Sequence, residues 1–236
     1  MVRHPADAGQ YYEGDEASLR REVDRLLEAA RVPARRGTVR ALISPHAGYL
    51  YSGGTAAHGY RFVKGEDVDA VVVVGPSHRE YFDGNTIYSG DANRTPLGEV
   101  PVHNELRAAH VTVHPRIVLS TLGHRQEHSV EVQLPFLQRA LAPFRFVPMV
   151  MGEQDWENCD ILASALASVC RGLKVLLVAS SDLSHYHPYD EAQRLDAVAI
   201  GEIENLDPDG LYRKLQAGRT EACGGGPVIA VLKAAT

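Results

Sequence analysis

VVVVGPSH, residues 71–78, is the stretch that decides the fold: four consecutive valines, a Gly75-Pro76 break, then Ser77 and His78. A run of β-branched residues with no polar alternation reads as a strand buried on both faces, as in a sheet covered by helices. The same design recurs on either side of it in sequence. Val39 to Ser44 reads as a strand and runs into SPHAGYLYSG (Ser44 to Gly53), and Val175 to Ala179 reads as a strand and runs into SSDLSH (Ser180 to His185). A fourth polar segment, EACGGGP (Glu221 to Pro227), precedes a last apolar stretch, Val228 to Ala235, that reads as a helix. Sites in open α/β sheets collect at the carboxyl ends of strands, so these separate segments are expected to meet in one pocket.

Between the strands the periodicity turns helical. Asp15 to Arg31 places Leu19, Val23, Leu26, Leu27 and Ala30 on one face, with Pro33 and Gly37 ending the helix. Further helices are expected over Gly53 to Phe62, Asn104 to Ala109, Glu127 to Leu141 (interrupted at Pro135), Ile161 to Val169, Asp190 to Ile203 and Asp207 to Leu215. Asn85 to Ser89 and Phe144 to Met151 complete the expected strands. The alternation of strands and helices predicts an α/β sandwich with a central, mostly parallel sheet flanked by helices. No linker divides the chain, so residues 1–236 are expected to form a single domain.

Composition narrows the function. A formal net charge of −6 argues against a general nucleic-acid binder, which carries a basic stripe. The N-terminus, MVRHPADAGQYY, lacks the apolar core of a signal peptide. No apolar run approaches the ~20 residues that a membrane span needs. Three widely spaced cysteines without a CxxC fit a reducing compartment, so a cytoplasmic location is expected.

The chemistry lies in the loops. His46 sits between Pro45 and Ala47-Gly48, whose small side chains leave room for a ligand, although a structural histidine bonded to a carbonyl fits the local sequence equally well. His78 ends a buried strand and needs a partner, either a metal or a carboxylate. Asp182 can orient a histidine, and His185 can serve as ligand or general base. Cys223 precedes three glycines and a helix start, where a thiol gains thiolate character and can act as a nucleophile or a soft ligand. Cys159 and Cys170 lack such surroundings and read as core. In QEHSVEVQLP, His128 and Glu131 are spaced to share one face of a helix. His4, His58, His103, His110 and His114 have no supporting pattern and read mostly as surface. There is no GxSxG elbow, no Walker loop and no GxGxxG after a strand.

Taken together and in order, RHPADAGQYY (residues 3–12), SPHAGYLYSG, GPSH, RTPLGEV (94–100), EHSVEVQLPF (127–136), SSDLSH and CGGGPVIAVL (223–232) resemble the MEMO family over nearly the whole chain. The resemblance implies a fold like that of the class III extradiol ring-cleaving dioxygenases, which are non-haem iron enzymes. It also implies a metal site on His46, His78 and Cys223, with His128, Asp182 and His185 lining the same pocket. In the dioxygenases the third ligand is a carboxylate and a histidine acts as base, the latter role falling on His185. A thiolate in the third position favours copper, zinc or thiolate-tolerant iron. The expected function is that of a metal-dependent redox enzyme holding iron or copper (zinc as a further candidate) and acting on a small-molecule substrate of unassigned identity. Bacterial members are often encoded beside a radical SAM protein, which suggests a pathway partner. The alternative is an adaptor-type module binding a phosphotyrosine-containing peptide in the same pocket without catalysis, with Tyr49 and Tyr51 along it. A third candidate is a hydrolase using Cys223, with the glycine run as oxyanion donors. Family members continue past the segment that ends here at Thr236, so closing strands are expected to be missing.

Overall fold

The computed structural model describes residues 1–34, 37–141 and 143–236. Its centre is a six-stranded sheet in the order β2-β9-β3-β8-β4-β7, formed by β2 (Ala41–Ser44), β9 (Val175–Ser180), β3 (Ala70–Pro76), β8 (Phe146–Met151), β4 (Asn85–Tyr88) and β7 (Ile117–Ser120). The first four run parallel; β4 is antiparallel to β8 and carries β7 parallel to itself. The valine run behaves as its composition predicts. Val71 and Val73 pack into one core, Val72 and Val74 into the other, and all four are fully buried. A side chain points to opposite faces at successive residues, so only a strand covered on both sides requires every position to be apolar.

One face is covered by α1 (Glu16–Ala29), α2 (Gly54–Phe62) and α4 (Leu134–Ala140), and the other by α5 (Trp156–Val169) and α8 (Gly225–Ala235). Helices α3 (Asn104–Val111) and α7 (Pro208–Gln216) extend the second layer, and α6 (Tyr189–Glu204) packs on α7. Asp15 caps α1 by accepting from Ser18 N, and Leu19, Val23 and Leu27 form its buried stripe. Among the described residues, no helix is long and apolar enough to cross a membrane.

Several elements depart from the sequence reading. A small sheet of β1 (Val2–Arg3), β5 (Ala92–Thr95) and β6 (Gly98–Pro101) was not expected; its strands are too short to show a period. Residues 127–130 are not helical, and only Glu131–Gln133, as a 3₁₀ turn, and then α4 continue the segment. His128 and Glu131 therefore do not share a helix face. Glu131 turns away into the core, where it accepts from Arg3 Nη1 (2.7 Å), Tyr12 OH (2.6 Å) and the amides of Ala6 and Asp7. His110 is not at the surface. It is fully buried, with Nδ1 on the Leu106 carbonyl (2.7 Å) and Nε2 without a partner among the described residues.

Candidate metal centre

Parallel order in β2, β9 and β3 puts three strand ends side by side. His46 lies two residues past β2, His78 two past β3 and Asp182 two past β9. Cys223 arrives from the other direction, just before α8. Gly224 lets the chain pass this close: a Cβ there would collide with the Ser180 carbonyl oxygen. Gln154, after β8, clamps the turn by donating to Cys223 O (2.8 Å) and accepting from Gly226 N (2.7 Å).

The ligand atoms of His46, His78 and Cys223 lie within 4.8 Å of one another. Cys223 Sγ is 3.1 Å from His46 Nε2 and accepts from Asp182 N at 3.3 Å. Each imidazole is held from behind by its other nitrogen. His78 Nδ1 donates to Glu127 Oε1 (2.9 Å), while Glu127 also accepts from the amides of His78 (2.6 Å) and Ser129 (2.9 Å).

His46 Nδ1 meets Ser180 Oγ at 2.8 Å, and the surrounding bonds decide which atom donates. Ser180 spends its only hydrogen on the Ser129 carbonyl (2.6 Å). Its oxygen already accepts from Gln133 Nε2 (2.7 Å), an amide oriented by the Pro45 carbonyl (3.0 Å) and the Tyr60 hydroxyl (2.6 Å). Nδ1 of His46 must therefore carry a hydrogen, which leaves Nε2 as the edge whose lone pair can face a cation. This donor set fits a metal ion: two Nε2 edges and a thiolate converge, each histidine oriented by a second residue.

The electrostatics agree with the geometry. Burial alone would raise the Cys223 thiol, but its contacts with the His46 and His78 rings override it and bring it down to about 6. Burial disfavours a charged His78, yet Cys223 and Glu127 carry it up to about 10. Burial likewise opposes ionisation of Glu127, and the His78 ring and amide bring it down to about 2. At neutral pH the site is thus a carboxylate–imidazolium–thiolate row, and a cation can replace the proton in its middle.

His128 reaches the same pocket from the loop before the 3₁₀ turn. Its ring stacks on His78 (4.8 Å, 14°), stands edge-on to His46 (5.3 Å, 81°) and meets Tyr11 on another side (4.5 Å). Burial pushes it down to about 4, so it is neutral at physiological pH. Asp182 accepts from His46 N (2.8 Å) and Ala47 N (3.1 Å) through Oδ1, and its Oδ2 lies 3.8 Å from His46 Nε2 and 3.9 Å from His185 Nε2. His185 is half-exposed at the rim, its amide toward Glu221 (3.4 Å). The glycine run supplies no oxyanion hole. Gly224 N donates to Ser181 Oγ, Gly225 N to Ala222 O and Gly226 N to Gln154 Oε1.

All six expected site residues thus gather at one end of the sheet. Ser180, Gln133, Gln154 and Tyr11 were not singled out. Nothing local marks them, because their partners lie 134 residues away for Ser180, 88 for Gln133 and 69 for Gln154, and Tyr11 acts through a ring packed across the loop.

The chain matches the family model described as Memo-like protein over residues 3–236. It is 37% identical to a MEMO1 family protein of Sulfolobus acidocaldarius, covering 98% of this chain and 87% of the relative. It is 38% identical to one of Methanosarcina barkeri, covering 99% and 86%. Among solved structures it is similar to an uncharacterized protein from Escherichia coli K12, with a TM-score of 0.53, 18% identity, and coverage of 72% of this chain and 76% of that one. That likeness speaks to the fold alone, whereas the family match and the relatives run nearly end to end: the chain belongs to the MEMO family.

Proposed function

We propose that this MEMO-family chain is a metal-dependent redox enzyme that holds iron or copper on His46, His78 and Cys223. The observation that carries the reading is the pair of imidazoles whose Nδ1 edges are occupied by Ser180 and Glu127 while both Nε2 edges face one thiol. A bound iron or copper ion would supply a change of oxidation state and Lewis acidity beside Sγ. The chain's own residues do the rest. Glu127 and Ser180 orient the ligands. His128, neutral and stacked on His78, offers an uncharged wall for a substrate. His185, half-exposed beside Asp182, is the group able to exchange protons with solvent when one cation is held. The finer form, an oxygen-dependent reaction on an aromatic substrate as in the extradiol dioxygenases, with a radical SAM protein in the same pathway, rests on family resemblance.

The test is metal content by ICP-MS on anaerobically purified protein, wild type beside His46→Ala, His78→Ala and Cys223→Ala. Near-stoichiometric iron or copper, lost in all three variants, is expected. No metal in the wild type, and no uptake on reconstitution with Fe(II) or Cu(I), would sink the metalloenzyme. Binding of a phosphotyrosine peptide that survives His46→Ala and Cys223→Ala would move the weight to the adaptor reading, for which Tyr51 and its neighbour Leu50 are strongly exposed, whereas Tyr49 is buried with its hydroxyl on the Val132 carbonyl.

A further inference from the structure

Cys223 Sγ is the corner of two donor triangles, not one. On one side stand His46 and His78; on the other stand Asp182 and His185, whose ligand atoms also lie within 4.8 Å of each other and of Sγ. Asp182 Oδ1 is committed to two backbone amides, but Oδ2 takes no hydrogen bond among the described residues and faces the Nε2 atoms of His46 and His185 at 3.8 and 3.9 Å. Tetrahedral ligands at ordinary zinc–nitrogen, zinc–oxygen and zinc–sulfur bond lengths sit about 3.3–3.6 Å apart; the Asp182–His185 edge, at 3.9 Å, is already close to that, and the two edges to Sγ, within 4.8 Å, close by at most about 1.5 Å. His185 sits within the 181–188 loop at the pocket rim, where its half-exposed ring can make that movement and leaves an entry path.

Charge points the same way. Glu127 and Asp182 bring two carboxylates to one pocket beside the Cys223 sulfur, and among the described residues no Lys or Arg is ion-paired to either carboxylate. From this arrangement we infer that the site takes a second divalent first-row cation on Asp182, His185 and Cys223, with the thiolate bridging the two ions. A carboxylate, an imidazole and a thiolate together suit Zn(II) or Fe(II) better than Cu(I), which prefers soft donors. The inference rests on the metal-binding reading of His46, His78 and Cys223 and adds a second position to it.

The experiment loads the metal-stripped full chain with Zn(II) and reads the bound ions by equilibrium dialysis and ICP-MS, with Co(II) as a spectroscopic substitute. About two ions per chain are expected for the wild type, and about one for His185→Ala and for Asp182→Asn, which keeps Oδ1 as an acceptor. In the Co(II) form, the second equivalent should quench the EPR signal of the first through the shared sulfur, which an ion bound elsewhere on the surface would not do. About one ion in the wild type, or a second ion that persists in His185→Ala or binds without EPR coupling, overturns the second site and leaves the first intact. No bound ion in the wild type overturns both.

Discussion

Replacing Ser180 with Ala removes a single oxygen and disturbs three bonds. His46 Nδ1 loses its acceptor at 2.8 Å, the Ser129 carbonyl its donor at 2.6 Å, and Gln133 one of its acceptors at 2.7 Å. All of this happens where Ser180, Ser129 and Gln133 are fully buried, so water cannot substitute. At roughly 1–3 kcal/mol for each of the two buried polar groups left without a partner, and with Gln133 keeping Pro45, the variant should lose about 2–6 kcal/mol of stability. The effect on the metal centre is separate. Without an acceptor behind it, nothing holds the His46 hydrogen on Nδ1, and a share of molecules will carry it on Nε2, the edge that must be bare for a cation. Loss of a partner of this kind weakens metal binding by about 10–100-fold, or about 1.4–2.8 kcal/mol. Competition of Zn(II) against a chromophoric chelator measures the affinity, urea unfolding measures the stability, and long-range ¹H–¹⁵N spectra of the His46 ring report the tautomer directly. A variant that is less stable but shows the wild-type His46 spectrum and an affinity within twofold would refute the argument, since Ser180 would then be a packing residue only.

Other consequences of the structure are as readily checked. His124 is held down to about 3 by burial and by Arg3, whereas the unfolded chain takes up this proton near its ordinary value of 6.5. Its contribution is therefore fully present above pH 6.5 and is lost as pH falls toward 3, at about 1.4 kcal/mol per pH unit. His124→Gln should flatten the stability profile between pH 6.5 and 4.5 by about 3 kcal/mol, measured by urea unfolding at each pH. Gly75 lies so close to Ser129 that a Cβ would overlap its side chain. Gly75→Ala is expected to cost at least about 1–3 kcal/mol and to shift the 127–129 loop, seen as lost Zn(II) affinity at unchanged secondary structure by circular dichroism. Arg3→Leu strips Glu131 of its buried cation, and breaking such a pair should cost about 3–5 kcal/mol in chemical unfolding; a change under about 1 kcal/mol would mean that Tyr12 and the two amides suffice.

The local order of residues was enough to draw the central architecture. Four valines in a row can only be satisfied by cover on both faces, and stripes such as Leu19, Val23 and Leu27 repeat at the helical period, so strand and helix identity were written in neighbouring residues. The strand ends carrying His46, His78 and Asp182 were likewise legible, because a polar residue after a buried strand marks a carboxyl edge of the sheet. Elements of two to four residues, such as β1, β5, β6 and β7, leave too little sequence for a period to form. The 127–130 loop looked helical because its spacing was compatible with a helix; what decided against it was the long-range pull of Glu127 onto His78 and of Glu131 onto Arg3. The second layer of the metal centre lay beyond local reading for the same reason. Ser180 and Gln133 orient His46, and Gln154 holds Cys223, across 134, 88 and 69 residues of chain. A sequence specifies which side chains can ligate; only the packed sheet decides which nitrogen of each histidine is free to do so, because that depends on a hydrogen-bond partner brought from elsewhere in the fold.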